Sequence, residues 1–496
     1  MTYIMSTDLR GVGKSHRSAT KIDILPDEVL LEIFDSVRTL FEIHNHLVWE
    51  WHRLVHVCRR WRQIIFASPL RLNLQLLCTY GTPVRKSLDC WPPFPLVVDY
   101  GYHPYFGDCP GPLSADEKDS ILAALEQRHR VRHVDLSVWY LDLEKLIPVM
   151  EKPFPVLTYL RLASEYLDGP FIPRELLGGS APPCLREITL TRIPIPTLPH
   201  LISSASGLVK LRLSVILSES IPTPEAMAAC LATLIRLEYF SFELYERMYP
   251  SRSPPPGTRV VLPALTSFIF NGPSPYLADL VAQINAPRVK LIDIQYACGL
   301  DFQVTELSTF IGYSNIRPSH FGHAKIYIED EKVSLKLYPK INLVPSIAIL
   351  VPSMFRGQYA QVVNLALLLR KTSTIVSDVI HLEIDSELDG PEEDKALDDI
   401  RWLDLFHPFT SLESLRVSSR FAKSIAKEMT VGMATDTQVL PALNSTSLEG
   451  VHAKTMEELC AAFRARDRPF SIISFERPDS GIKIKFDSCG GSRALN

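Results

Sequence analysis

Four stretches have residue types and spacings that invite chemistry. Gly11-Val12-Gly13-Lys14-Ser15 ends like a phosphate-binding loop, in which backbone N–H groups and a lysine cradle a nucleotide. That loop needs another glycine five positions before Gly13, where Asp8 stands, and a buried strand in front, where only residues 1–7 are available. A polar tail is the better reading. His52 and His56, four apart, would share a helix face as zinc ligands do, but Arg53 occupies the position of the glutamate that a zinc peptidase uses as base. His44 and His46 are near enough to complete a metal site, yet surface or interface histidines are the default. The acidic run Asp385–Asp399 lacks the alternate-position carboxylates of a calcium loop and reads as a solvated loop. Ser251-Arg252-Ser253-Pro254-Pro255-Pro256-Gly257 is an extended linker with a phosphorylatable serine at Ser253. With no Gly-x-Ser-x-Gly elbow and no Gly-x-Gly-x-x-Gly fingerprint, the expectation is a chain that is not an enzyme and needs no cofactor or metal.

Composition narrows the partners. The chain has 496 residues, is 46% hydrophobic and 22% charged, and carries a net charge of -4. That describes a folded chain with no basic footprint for nucleic acid and no polybasic membrane segment. The nine cysteines are scattered and never spaced Cys-x-x-Cys, which argues for a reducing compartment, cytoplasmic or nuclear. No apolar run is long enough for a signal peptide or a bilayer span. Thirty-eight prolines suit a chain that turns often.

The elements that organise the chain lie in residues 22–66. Pro26 suits a first helical position, and Asp27 and Glu28 meet the positive end of the helix dipole. Val29, Leu30, Ile33, Phe34 and Val37 then make an apolar stripe. Leu54, Val57, Cys58, Trp61, Ile64 and Ile65 recur at helical spacing opposite Arg59, Arg60, Arg62 and Gln63, which predicts one amphipathic helix over 54–65. About 45 residues cannot hide that much apolar surface alone. Either the rest of the chain or a second protein must cover it.

The order Ile24-Leu25-Pro26-Asp27-Glu28-Val29-Leu30-Leu31-Glu32-Ile33-Phe34, a spacer, then Leu54-Val55-His56-Val57-Cys58-Arg59-Arg60-Trp61-Arg62 resembles the F-box. Leu25, Pro26, Leu30, Ile33, Phe34, Leu54, Val57, Cys58 and Trp61 fall on matching positions. The resemblance implies a three-helix unit that docks on the Skp adaptor of an SCF cullin-RING ubiquitin ligase, through those nine residues, while the remainder selects a target protein. Residues 38–51 are less regular than the middle helix of that family. After Ser68-Pro69, Leu70, Leu72, Leu74 and Leu76 alternate with polar residues, which predicts a half-buried strand, and Leu96-Val97-Val98 predicts a buried one. The Leu-Leu-Cys, Gly-Thr-Pro-Val-Arg and Trp-Pro-Pro connector is similar to that of many mushroom-type fungal F-box proteins.

Beyond the connector one unit returns: an apolar lead, then a short alternating strand. Leu157–Leu162, Leu185–Leu190, Leu208–Leu213, Leu237–Phe242, Leu265–Phe270 and Val289–Ile294 follow His133–Val138. From Leu136 to Ile294 the last apolar residues are 26, 28, 23, 29, 28 and 24 apart, the period of a leucine-rich repeat. Lys325–Ile328, Val379–Ile384 and Leu412–Val417 are later copies, and Ser120–Leu125, Glu225–Leu231 and Leu277–Ile284 read as helices between strands. Lys325–Ile328 and Val333–Leu337 read as a hairpin set into the array, Leu365–Leu369 as a buried helix, and Ile482–Phe486 as a cap.

The expected fold is therefore α/β: an N-terminal helical F-box followed by an irregular leucine-rich-repeat solenoid with a curved parallel sheet. The divisions are 1–21 tail, 22–68 F-box, 69–115 connector and 116–496 repeats. The expected function is a non-catalytic substrate receptor that binds the Skp adaptor and an unknown protein target. A repeat scaffold with no ligase role and an enzyme of unrecognised type are the alternatives.

Overall fold

The computed structural model describes residues 21–42, 50–101, 111–165, 169–194, 198–215, 221–244, 259–297, 305–316, 321–329, 331–340, 344–352, 360–386, 401–435, 440–449, 461, 471–475 and 485–488. The chain divides into two compact units, Met1–Val97 and Val98–Asn496. Residues 1–20, with the Gly-Lys-Ser stretch, lie outside the described residues, as do His44, His46, Ser251–Gly257 and most of the acidic run.

In the first unit a 3-10 turn, Lys21–Ile24, leads into helix α1 (Asp27–Glu42), with Asp27 and Glu28 in its first turn. Leu30 and Phe34, four apart and so on one helix face, are buried. The expected single helix over 54–65 is two: α2 (Glu50–Val55) ends before a turn, and α3 (Arg59–Ala67) starts afresh. The break has a visible cause. Cys58 is extended, and its Sγ accepts the Trp61 N–H at 3.4 Å as an N-cap. Arg62 Nε closes the corner by donating to the Val55 carbonyl at 3.0 Å. Val55 then turns inward and is fully buried, while Val57 is 59% exposed.

The strand expected over Leu70–Leu76 is a correction of the same kind. Leu72 and Leu74 are buried, but in turns, with Asn73 at φ 47° and the Leu74 N–H bonded to the Pro69 carbonyl at 2.9 Å. Only β1 (Leu76–Cys78) is strand. The connector adds an unforeseen helix, α4 (Val84–Cys90), and folds back on α3: Phe66 meets Trp91 and Phe94 with ring centroids 6.0 and 5.7 Å apart. The apolar run at Leu96 is the start of β2 (Leu96–Tyr100), buried as expected.

The second unit is built on one large, mainly parallel sheet. Strands β3 (Val131–Val138), β4 (Tyr159–Ser164), β5 (Glu187–Thr191), β6 (Lys210–Val215) and β7 (Tyr239–Leu244) pair side by side in sequence order. A short β8 (Val260–Val261) then pairs with β10 (Ile284–Asn285) in a separate two-stranded sheet. The main sheet goes on through β9 (Ser267–Gly272) and β11 (Leu291–Tyr296).

Strands β4, β5, β6, β7, β9 and β11 begin two residues later than the alternation predicts, for one reason, whereas β3 begins two residues earlier, at Val131. The apolar lead closes a tight turn instead: Leu157, Leu185, Leu208, Leu237, Leu265 and Val289 each donate their N–H to the carbonyl three residues back, at 2.9 to 3.4 Å. All six are buried.

At β11 the order changes. Strands β12 (Phe321–Ile328), β13 (Lys332–Pro339) and β14 (Ile347–Pro352) form an antiparallel meander, so the expected hairpin gains a third strand. It is β14 that pairs with β11, in parallel, and β12 that pairs with β15 (His381–Ser386). The spatial order is thus β11, β14, β13, β12, β15. Strands β16 (Ser414–Val417), β17 (Ser445–Glu449) and β18 (Ser471–Phe475) extend the sheet in parallel, and β19 (Lys485–Ser488) ends it antiparallel. Asp385 belongs to β15, a correction to its assignment to a loop.

Register explains the core. Leu136, Leu162, Leu190, Leu213, Phe242, Phe270, Ile294, Ile349, Leu335, Ile326, Ile384, Val417 and Leu448 lie on one cross-strand row, and all are buried. Connecting helices cover this face. Phe268 meets Phe310 of α10 (Thr305–Tyr313) at 5.3 Å, and Phe242 meets Tyr276 of α9 (Ser274–Gln283) at 5.5 Å. Earlier in the chain come α5 (Ala115–Glu126), α6 (Tyr140–Leu146), α7 (Leu198–Ser203) and α8 (Pro224–Ala232). Later come α11 (Ala360–Lys371), which holds the expected buried Leu365–Leu369, then α12 (Ser373–Val376), α13 (Trp402–Phe406) and α14 (Ser419–Thr435). Among the described residues no helix is long and apolar enough to cross a membrane.

Candidate functional site

Two surfaces emerge, one in each unit. In the first unit the nine matched residues separate into three sets. Leu30 and Phe34 are buried, and the Phe34 ring takes the half-buried Trp61 edge-on at 4.8 Å, so these three hold the helices together. Leu25, Leu54 and Cys58 are half-buried, the last as the cap of α3. Pro26, Ile33 and Val57 are exposed. Ile33 shares its side of α1 with Val29, and both exceed a third of full exposure, as do Ile22 and Ile24 just upstream.

A polar clasp sets the angle of these helices. The Arg60 guanidinium donates to Asp27 Oδ1 at 2.6 and 3.1 Å and to the Leu25 carbonyl at 2.5 Å, joining the starts of α1 and α3. Arg71 pairs with Glu32 further along α1. Exposed ion pairs contribute little stability, about 0–1 kcal/mol each, so their effect here is chiefly orientation. The arrangement leaves a row of aliphatic side chains in water on a fixed backbone. Such a row is chemically suited to apolar side chains of another protein.

Of the histidines considered as metal ligands, only His56 has a described side chain. His56 sits edge-on to Trp91 with centroids 6.0 Å apart, the side chain of His52 is outside the described residues, and no cluster of three metal-ligating side chains occurs among the described residues.

In the second unit the outward side of the sheet carries the chemistry. Its central row runs Asp135, Arg161, Thr189, Arg212, Ser241, Ile269, Asp293, Ala348, Lys336, Lys325, Glu383, Arg416 and Ser447, one residue per strand. Sequence alternation pointed to such a face; which residues stand side by side depends on a register that only the structure supplies.

Two clusters stand out on that face. Across β3–β7, His133 stacks on Tyr159 at 4.0 Å, Arg161 faces Asp135 at 3.4 Å and Lys210 faces Glu187 at 3.4 Å. Arg212 donates to the Tyr239 hydroxyl at 2.9 Å with its guanidinium 5.2 Å from the ring centre. Burial, with Asp135 adding to it, pushes the Tyr159 hydroxyl up to about 12. Burial lowers the His133 pKa, against the opposing pull of Asp99 and Glu187.

Across β12–β16, Lys325 Nζ lies 3.1 Å from Asp385 and 3.6 Å from Glu383, which Arg416 and His323 also approach at 3.8 and 3.7 Å. Burial lowers the Lys325 pKa, but its hydrogen bond to Asp385 and the two carboxylates outweigh that and hold it raised. Tyr338 stacks against His323 at 5.2 Å. Tyrosine, arginine and histidine on rigid strands suit protein recognition, where aromatic and guanidinium groups give contact area at low entropic cost.

Residues 22–71 match the family model of the F-box-like domain, and the chain therefore carries an F-box-like domain at its N-terminal end. No curated protein matches the chain.

Proposed function

We propose that the F-box-like domain at residues 22–71 binds a Skp adaptor, and that the chain is a substrate receptor of an SCF cullin-RING ubiquitin ligase. Domains of this kind generally bind that adaptor. The observation that carries the reading is the exposure of Ile33 on α1, of Pro26 just before it and of Val57 in the turn between α2 and α3, beside a helix core already closed by Leu30, Phe34 and Trp61. Apolar residues of an internal helical pair would point the other way.

In this reading the second unit is an irregular leucine-rich-repeat-like array that holds a protein target on its outward face. No group of this chain reacts. Holding a target beside a ligase-bound ubiquitin carrier raises local concentration, which is enough to accelerate transfer. The cytosol or nucleus is the compartment this implies.

The test is co-purification with the Skp adaptor, wild type beside an Ile33→Asp, Val57→Asp double variant. Association by the wild type and its loss in the variant, with unchanged thermal melting, supports the reading. A well-folded wild type that does not associate sinks it in favour of a stand-alone scaffold.

A further inference from the structure

In the second unit, away from the outward face of the sheet, a groove of about 570 Å³ lies beside α6 and the segment 169–173. Its surface is made by Tyr140, Pro148, Pro170, Phe171 and Pro173, with the carboxylates of Glu144 and Glu151 also lining it. Phe171 is 68% exposed, an unusual place for a ring that gains by burial. Neither carboxylate has a cation within ion-pair distance among the described residues, and Glu144 meets only the Tyr140 hydroxyl, at a long 3.4 Å.

The wall carrying Phe171 is fixed from behind. Ile172 is buried, and Gly169 passes so close to Arg192 that an added Cβ would fall 2.1 Å from the Arg192 carbonyl oxygen. Only glycine permits that approach. Arg192 is itself tied by a 2.6 Å hydrogen bond to the Glu165 carbonyl. Three prolines, Pro148, Pro170 and Pro173, remove backbone freedom on both sides. The groove is formed before anything binds it.

The geometry points to a docking groove for an arginine-bearing polyproline II segment of a partner protein. A polyproline II chain has no internal hydrogen bonds and little entropy to lose, and its pyrrolidine rings pack on aromatic and proline surfaces such as Phe171, Tyr140 and Pro173. Its carbonyls accept from a hydroxyl, which Tyr140 offers. An arginine fork answers the two carboxylates that lack a cation. This site does not depend on adaptor binding or on the outward face of the sheet.

The test uses the full chain and a fluorescein-labelled decaproline carrying an arginine at each end, read by fluorescence anisotropy. Saturable binding is expected, weakened about tenfold or more by Phe171→Ala and by a Glu144→Gln, Glu151→Gln double variant, on the scale of an interface anchor. Replacing the terminal arginines of the probe with glutamates abolishes it, and Lys325→Met on the sheet leaves it unchanged. Phe171 is exposed, so thermal melting stays at the wild-type value; the glutamine double variant carries the test if it does not. The proposal is overturned if a glycine-serine peptide with the same arginines binds as tightly, if a basic amphipathic helical peptide binds more tightly, or if no probe saturates.

Discussion

The two units dispose of their apolar residues in opposite ways. In the F-box-like unit Ile22, Ile24, Val29 and Ile33 on helical turns, and Val57 between two helices, remain in water although the helix core is already closed. In the sheet unit nearly every strand aliphatic sits on a buried row, and the outward side is given to tyrosines, histidines and charges. The contrast separates two kinds of recognition. An exposed aliphatic row gains affinity from burial and is indifferent to salt, whereas a charged, aromatic face gains selectivity from direction and from screening-sensitive pairs.

Substitutions in each unit sharpen or break that contrast. The largest effect belongs to the buried rows: Phe270→Ala, which removes a ring 6.1 Å from Tyr276 and 6.4 Å from Phe242, is expected to cost about 3–5 kcal/mol in a denaturant titration. Ile33→Asp with Val57→Asp comes next, with melting unchanged and adaptor affinity reduced about a hundredfold by calorimetry. A drop in melting temperature instead would mean that those two residues belong to the core. Lys325→Met is smaller. It leaves Glu383 and Asp385 without their nearest cation and is expected to cost under about 1 kcal/mol, a difference that shrinks at high salt.

The smallest effect is a pH dependence. Because burial lowers the His133 pKa, the unfolded chain takes up the proton first as pH falls. Stability is therefore lost as pH drops below about 6.5, the ordinary histidine value, and levels off below the folded-state pKa. His133→Phe keeps a stacking partner for Tyr159 and is expected to flatten that part of the curve, measured as denaturant midpoint against pH.

Legibility in the sequence followed locality. Alternation located β4, β5, β6, β7, β9 and β11 because strand and core share one period, and it erred by two residues because Leu157 and its counterparts look like strand but close a turn. The short β8 and β10 gave no such signal. The α2–α3 break escaped because cysteine is a weak cap, and nothing in helical spacing announces that Cys58 would take the Trp61 N–H. Leu70, Leu72 and Leu74 alternate like a strand, but a left-handed Asn73 carries the chain round in turns instead. The hairpin at β12–β13 was readable from its short turn, whereas the pairing of β14 with β11 joins distant segments. For the candidate site, Leu25, Ile33 and Trp61 are identifiable as a set from the sequence, but their division between exposed side and core side needs the packing of Phe34. The groove at Phe171 gave no periodic signal at all.

The reversed order of β12, β13 and β14 sets a timetable for synthesis. From β3 to β11, each strand of the main sheet leaving the ribosome finds the edge left by the main-sheet strand before it and can dock at once. There the rule fails, since β11 keeps an open edge until Ile347–Pro352 has been made, and the last strand of the meander docks first. The strand made first, β12, ends as the platform on which β15 and all later strands are laid. A translational pause between Phe321 and Ile347 would leave the edge of β11 and those of the half-made meander bare in one nascent chain, the state in which strands pair with a neighbouring copy instead of their own.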